Sequence, residues 1–502
     1  MKNRKDDNTI NKTVVNEQTG EERLITLHRD HAKPTTRRDF LATGMIGMSG
    51  FIVAPSILNV LAAPSFANAA DDQCAATGSG MPAFVTVNLS GGPSLSGNLP
   101  PLGEGRDPLT KYDILGLGAD QAVFTDDTRG STMFQGVRVA GTRNAGVPAG
   151  HFWLGLGLRA SQTTIDKTAL VNICVASNDD TNSNMADASG MIMQAGLTGE
   201  ILPNLGQSNG TGTGVGQTSA IIKPAAPLIV RNYTDIEGAL KPAGTLSTRL
   251  TESRRKKLLE LVNSLSGSQA RTIATPGSAT GTMLAKVVEC ATGKNIELIS
   301  KTDPGIDPGL DTGVAAVWGI AANNKNSANY APASIIYNAL KGNSSAAGIE
   351  MGGYDYHGNA RATTNAADQR AGEMVGRILE TAAVMGKTVM IHVVADGSVS
   401  SNSGSAFGDQ YNNDSGSRGM SYILVYNPTA RPQVKNDAFK HQIGFFTNGQ
   451  GASDQTVVST PTKAAAAVLA NYLQIAGQIS KLDAIAGTTF QRSDLDEVIR
   501  FA

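Results

Sequence analysis

Ala366-Ala-Asp-Gln-Arg-Ala-Gly-Glu-Met-Val-Gly-Arg-Ile-Leu-Glu-Thr-Ala-Ala-Val-Met385, then Gly386-Lys387, then Thr388-Val-Met-Ile-His-Val-Val394 is the stretch on which the fold turns. In its first part Met374, Val375, Ile378, Leu379 and Ala382 recur at helical spacing, so one stripe of a helix is apolar. The last part is an unbroken apolar run rich in β-branched residues, which reads as a strand buried on both sides. Only Gly386-Lys387 separates them. A helix, a glycine turn and a buried strand make half of a βαβ unit. The expectation is an α/β protein with a largely parallel sheet covered by helices on both faces.

Working outward, four more short apolar runs read as buried strands: Phe84–Leu89, Leu170–Ala176, Leu228–Val230 and Met420–Tyr426. Thr251–Leu265, with Leu258, Leu259, Leu261 and Val262 on one face, and the alanine-rich Pro461–Gln478 read as helices. Two low-complexity loops interrupt the pattern. Gly206–Gln217 lacks the Gly-Lys-Ser/Thr ending of a phosphate loop and reads as surface. Gly397–Gly419 leaves directly from the strand that ends at Asp396, the end at which ligands sit in parallel sheets. It lacks the spacing and terminal glutamate of an EF-hand, so its Asp and Asn residues make only a weak calcium motif.

The N-terminal region carries a different signal. Arg37-Arg38 stands before an uncharged run, Phe40–Ala70, that is broken by Gly44, Gly47, Gly50 and Pro55 and contains Ala67-Asn68-Ala69. That order of parts is a twin-arginine export signal with a small-x-small cleavage site, preceded by a long polar lead. The expected organisation is a signal at 1–69 and one α/β domain at 70–502. The partner during export is the twin-arginine translocase. The expected location is the periplasm or beyond, with no transmembrane segment in the mature chain.

Cleavage after Ala69 removes nine basic and seven acidic residues, leaving 33 against 36. A nearly neutral chain points to neither nucleic acid nor an anionic membrane as partner. Three cysteines, Cys74, Cys174 and Cys290, allow at most one disulfide, and Cys174 lies in an apolar strand where it reads as a small core residue. There is no Cys-x-x-Cys and no Cys/His cluster for zinc, haem or iron–sulfur.

The sharpest internal motif is Gly352-Gly-Tyr-Asp-Tyr-His-Gly358. Asp355 and His357 are two apart, so in an extended segment they point the same way. They suit a divalent metal, an acid–base pair or a hydrogen-bonded turn. Asp396 at its strand end suits a ligand, a base or a turn. Ser90-Gly-Gly-Pro-Ser-Leu-Ser96 follows the first strand, where Ser90, Ser94 or Ser96 suits a nucleophile if a base or metal stands near, and otherwise a plain turn. His392 alternates with Met390 and Val394 and reads as a core histidine with its hydrogen bonds met.

These segments, in this order, resemble the domain of unknown function 1501 family, a branch of the alkaline-phosphatase and sulfatase superfamily. The resemblance rests on the twin-arginine signal, the strand into Ser90-Gly91-Gly92-Pro93, the segment Asn182–Gly196, the Gly352–His357 motif and the strand into Asp396. It implies an alkaline-phosphatase-like fold. It also exposes departures. Ser94 stands where the family carries an acid, Ser183-Asn184-Met185 replaces Ser-His-Phe, Ala395–Val399 replaces Ser-Glu-Phe-Gly-Arg, and Ser417-Arg418-Gly419 replaces Asp-His-Gly. A two-metal hydrolase needs about six oxygen or nitrogen ligands around metals roughly 3.5–4 Å apart. Only Asp355, His357 and Asp396 remain, enough for one divalent metal ion or none. The expectation is an eroded site in a non-catalytic envelope protein that binds another envelope protein or an anionic small molecule, with Ser94 and Arg418 as anion contacts. The alternative is a phosphate- or sulfate-ester hydrolase working with a reduced metal site.

Overall fold

The structure, a computed structural model, describes residues 9–15, 22–28, 81–117, 131–140, 151–178, 187–194, 202–207, 228–240, 305–401, 410–413 and 415–502 except 488, with a few positions between 251 and 261. The Arg37-Arg38 motif, the cleavage site, Cys74, Cys290 and Asn184 lie outside these residues. The chain divides into two compact units, Met1–Ile52 and Val53–Ala502. In the first, β1 (Thr9–Val15) and β2 (Glu22–His28) pair antiparallel from Thr9–His28 to Val15–Glu22. The polar lead thus holds a hairpin that the sequence reading did not anticipate.

The second unit is built on one eight-stranded sheet. Its strands are β3 (Ala83–Leu89), β4 (Thr168–Cys174), β5 (Leu202–Gly206), β6 (Leu228–Ile229), β7 (Ser344–Met351), β8 (Val389–Ala395), β9 (Met420–Tyr426) and β10 (Gln442–Ile443). Across the sheet they run β10-β4-β9-β8-β3-β7-β5-β6. Every neighbouring pair is parallel except those of β9, which opposes both β8 and β4. The first-made strand, β3, is central, between β7 and β8.

Helices cover both faces. Strand alternation sends Val85, Val87, Leu89, Ile349, Ile391 and Val393 to one core. That core is shared with α1 (Leu95–Asn98), α2 (His151–Arg159), α4 (Tyr233–Leu240), α5 (Thr312–Trp318), α6 (Tyr330–Leu340) and α7 (Arg361–Val384). Phe84, Ala346, Met390, Val394 and Ile423 face the other, with α3 (Ser189–Gln194) and α8 (Pro461–Ile475). The link read from Gly386-Lys387 is the observed one: α7 ends at Val384, Gly386 takes a positive φ of 61°, and β8 begins at Val389. The helix starts at Arg361, five residues before the expected start at Ala366, because its first turn lies after the Asn359 turn and carries polar residues. β6 is an edge strand of two residues with Leu228 exposed, and Leu261 is 53% exposed, so neither leucine is the buried residue the pattern predicted, although Val230 is buried. No helix among the described residues is long and apolar enough to cross a membrane.

Helix α2 crosses α7 at three glycines. A Cβ on Gly372 would lie 1.8 Å from the Phe152 carbonyl oxygen, one on Gly155 2.1 Å from that of Gln369, and one on Gly376 2.6 Å from that of Leu156. Elsewhere, near Asn471, Arg500 is wholly buried. Its guanidinium donates to the carbonyls of Lys440, Asp496 and Lys435 and to the Asp437 carboxylate, and its backbone N–H donates to Asn471 Oδ1. The guanidinium carbons of Arg500 and Arg106 stand 5.5 and 5.4 Å from the centre of the Phe439 ring.

His392 is buried as predicted, but neither ring nitrogen has a hydrogen-bond partner in the structure. Burial lowers its pKa to about 3. An unfolded imidazole titrates near 6.5, so between those values the unfolded chain binds the extra proton. His392 therefore adds no proton-linked cost above pH ~6.5, and stability falls as pH falls through the window, by about 2 kcal/mol at pH ~5. His441, lowered to about 4 by burial and by Lys440 and Arg500, adds to the slope. Asp187, raised by burial, opposes it by regaining stability as pH falls. Chemical denaturation of the wild type and His392→Leu between pH ~5 and ~8 isolates the effect: the variant should lose about one proton's worth of slope.

Candidate functional site

Strands β3, β7 and β8 end in register, with Leu89 opposite both Met351 and Ala395. Ser90, Gly352 and Asp396 therefore leave the sheet side by side, at the carboxyl edge where parallel sheets hold ligands. Because β9 runs the other way, Arg418, two residues before it, reaches the same edge, where Val175 N–H donates to the Gly419 carbonyl at 3.0 Å. The five candidates Ser94, Asp355, His357, Asp396 and Arg418 all belong to loops or a helix start at this edge.

The loops are stitched together by backbone. Tyr354 N–H donates to Ser90 O at 3.2 Å, Tyr356 N–H to Gly92 O at 3.3 Å and Gly397 N–H to Gly91 O at 3.2 Å. Gly91 has φ 116°, and a Cβ there would stand 2.4 Å from Asp355 N, so the Ser90–Pro93 turn admits only glycine at this point. Asp396 is buried, and its Oδ1 accepts from Gly91 N–H. Asp355 is exposed and turns back on its own chain, Oδ1 accepting from His357 N–H at 3.0 Å. Asn359 Nδ2 donates to the Asp355 and His357 carbonyls at 3.0 and 3.3 Å.

The alternation in Tyr354-Asp-Tyr-His357 runs as the extended reading required: Asp355 and His357 face out, and the tyrosines face in. Tyr354 donates to Ala367 O at 3.0 Å and Tyr356 to Asp368 Oδ1 at 2.6 Å, and Tyr356 stacks on Tyr411 at 6.0 Å. Burial, reinforced by Asp368, raises the Tyr356 phenol well above its ordinary value. The motif is thus anchored by its aromatic residues.

Among the described residues no group of three or more His, Cys, Asp or Glu is placed to hold a metal ion. Asp355, His357 and Asp396 share an edge without forming a ligand set, because Asp355 bonds its own turn and Asp396 is buried against Gly91.

Ser94 and Arg418 differ from them. Ser94 sits at the start of α1 without capping it, and its buried Oγ has no hydrogen-bond partner. Arg418 is half-buried with Nε shielded and unpartnered, and burial lowers its pKa. Both offer hydrogen-bonding capacity that the described residues leave unused.

Sequence reading missed Glu350. It lies two residues from the Gly352 motif and accepts from Asn88 Nδ2 at 2.8 Å and from the Ser90 hydroxyl, while its N–H donates to Gln207 Oε1 at 3.2 Å. The available signal was a lone acid inside Gly348-Ile-Glu-Met351, at the end of an extended apolar run. The fold and this edge define a class: an α/β protein with a large, mostly parallel mixed sheet and a loop cluster closing its carboxyl end. No family model, no curated protein and no solved structure matches the chain.

Proposed function

We propose that this is an exported, alkaline-phosphatase-like protein whose carboxyl-edge site has lost metal chemistry and binds an anionic small molecule through Arg418 and Ser94. The observation that carries the reading is the division of labour at the edge. The two carboxylates at Asp355 and Asp396 brace backbone amides, whereas the Ser94 hydroxyl and the Arg418 guanidinium, which stand where the resembling family carries an acid and an imidazole, keep unpaired buried donors. Arginine's fixed charge repels a divalent cation and suits an oxyanion. The twin-arginine segment supports export, and replacing Arg37 and Arg38 by Lys should leave precursor in the cytoplasm.

The test of the site is binding of inorganic phosphate and sulfate by calorimetry. Arg418→Gln is expected to weaken binding at least about tenfold, the loss of one charge-assisted contact worth ~1.5–3 kcal/mol, with no fall in melting temperature. Phosphate- and sulfate-ester turnover near ~1 s⁻¹ in the presence of Zn²⁺, Mn²⁺ or Mg²⁺, abolished by Asp355→Ala, would instead establish the hydrolase alternative.

A further inference from the structure

The opposite face of the sheet holds polar groups that the anion site does not use. On the side covered by α3 and α8, β3 places Phe84, Thr86 and Asn88, β7 places Ala346, Gly348 and Glu350, and β8 places Met390, His392 and Val394. His392 stands opposite Thr86 on one side and Ile423 on the other. Ser421 precedes Tyr422, the partner of Val393, and stands two residues before Ile423 in the antiparallel strand, so it lies diagonal to His392 on the same face.

His392 and Ser421 are both wholly buried, and neither the two ring nitrogens nor Ser421 Oγ has a hydrogen-bond partner. Their neighbours Met390, Val394, Ile423 and Val425 supply none, and α8 contributes to this core the methyl groups of Ala464–Ala467, larger apolar side chains and Tyr472, whose hydroxyl is committed to the Pro82 carbonyl at 2.8 Å. From there the polar row continues toward the edge. Thr86 donates to Asp187 Oδ1 at 2.8 Å, Asp187 also accepts from the Ser189 N–H and hydroxyl, and Asn88 donates to the half-buried Glu350.

We propose that this face contains an internal hydration site, with ordered water bonded to His392 and Ser421 and connected past Thr86 and Asn88 to the open edge at Glu350. The chemistry of the lining selects the ligand. A neutral imidazole presents one donor and one acceptor, and a hydroxyl presents one donor and two acceptors. A small neutral molecule that both donates and accepts satisfies them together, and a site with two or more polar partners is what holds a buried water. The carboxylates nearest this row, Asp187 and Glu350, already accept from Thr86, Ser189 and Asn88, so the groups left to satisfy are the neutral imidazole and the hydroxyl.

Two measurements test it. A crystal structure that resolves ordered solvent should show water at about 2.7–3.2 Å from a His392 ring nitrogen, with a second contact to Ser421 Oγ or Thr86 Oγ1. Ring nitrogens that face only carbon, or that bond a protein group, would overturn the proposal. In solution, nitrogen-15 NMR should show the His392 ring N–H exchanging with solvent at least about 100-fold faster than the backbone amides of β8, which need local unfolding to exchange. Ser421→Val, which removes one water partner and fills its space, should slow that ring exchange at least tenfold. Ring exchange as slow as the flanking amides, or unchanged by Ser421→Val, would show a dry core.

Discussion

Gly372→Ala should destabilise the protein by at least about 3 kcal/mol, while Gly157→Ala, in the helix it packs against, should stabilise it by up to about 1 kcal/mol. The two substitutions add the same methyl group. At Gly372 it arrives 1.8 Å from a backbone carbonyl oxygen, which cannot swing aside as a side chain can. The helices must separate, and separation loosens the Phe152, Leu156, Val375 and Leu379 packing beneath them. At Gly157 nothing lies within 4 Å of the new Cβ, so only the helical preference of alanine over glycine counts. Urea denaturation of both variants measures the pair. A Gly372→Ala protein of wild-type stability would mean that α2 and α7 are not in backbone contact.

Arg500→Ala should cost about 3–5 kcal/mol, because it empties the space of a wholly buried side chain and leaves three carbonyls without their donor. Every arm of this guanidinium is engaged, and the carbonyls of Lys435, Lys440 and Asp496 lose their donor together. The Asp437 carboxylate, whose pKa is lowered because the bonds from Arg500 and the Phe439 N–H and the charges of Arg500 and Lys435 together outweigh its desolvation, loses its counter-ion. Arg500→Lys should recover only part of the loss, because an ammonium is a point donor and cannot span carbonyls on three sides. Equal stability of Arg500→Lys and wild type would show that charge alone matters there.

What the sequence revealed was local. The α7–β8 link, β3, β4 and β9 are legible because their apolar runs are continuous and bounded by turn residues. The strands β5, β7 and β10 are not, since Leu-Pro-Asn-Leu-Gly, Ser-Ser-Ala-Ala-Gly and Gln-Ile carry little β preference and pair only because neighbours supply the ladder. The direction of β9 is likewise absent from its own residues. At the site, spacing placed Asp355 and His357 on one side, and the structure turns that side outward. It could not show that Asp396 is turned onto Gly91, since that bond joins residues 305 apart. The glycine crossing of α2 and α7 left no periodic signal because glycine reads as a breaker until its partner helix is known.

The central position of β3 bears on how the protein is made. Its Phe84-Val-Thr-Val-Asn-Leu89 run leaves the ribosome early, yet the side-chain bond from Asn88 to Glu350 on β7 spans 262 residues, and β8 is made later still. Through most of synthesis an apolar strand with two open edges waits for the neighbours that will hide it. Loop closure over such distances is slow, and exposed strands of this kind aggregate. A nascent chain of this topology requires protection of one short early segment, and a chaperone that masks residues 83–89 would control the yield of native protein more than any later event.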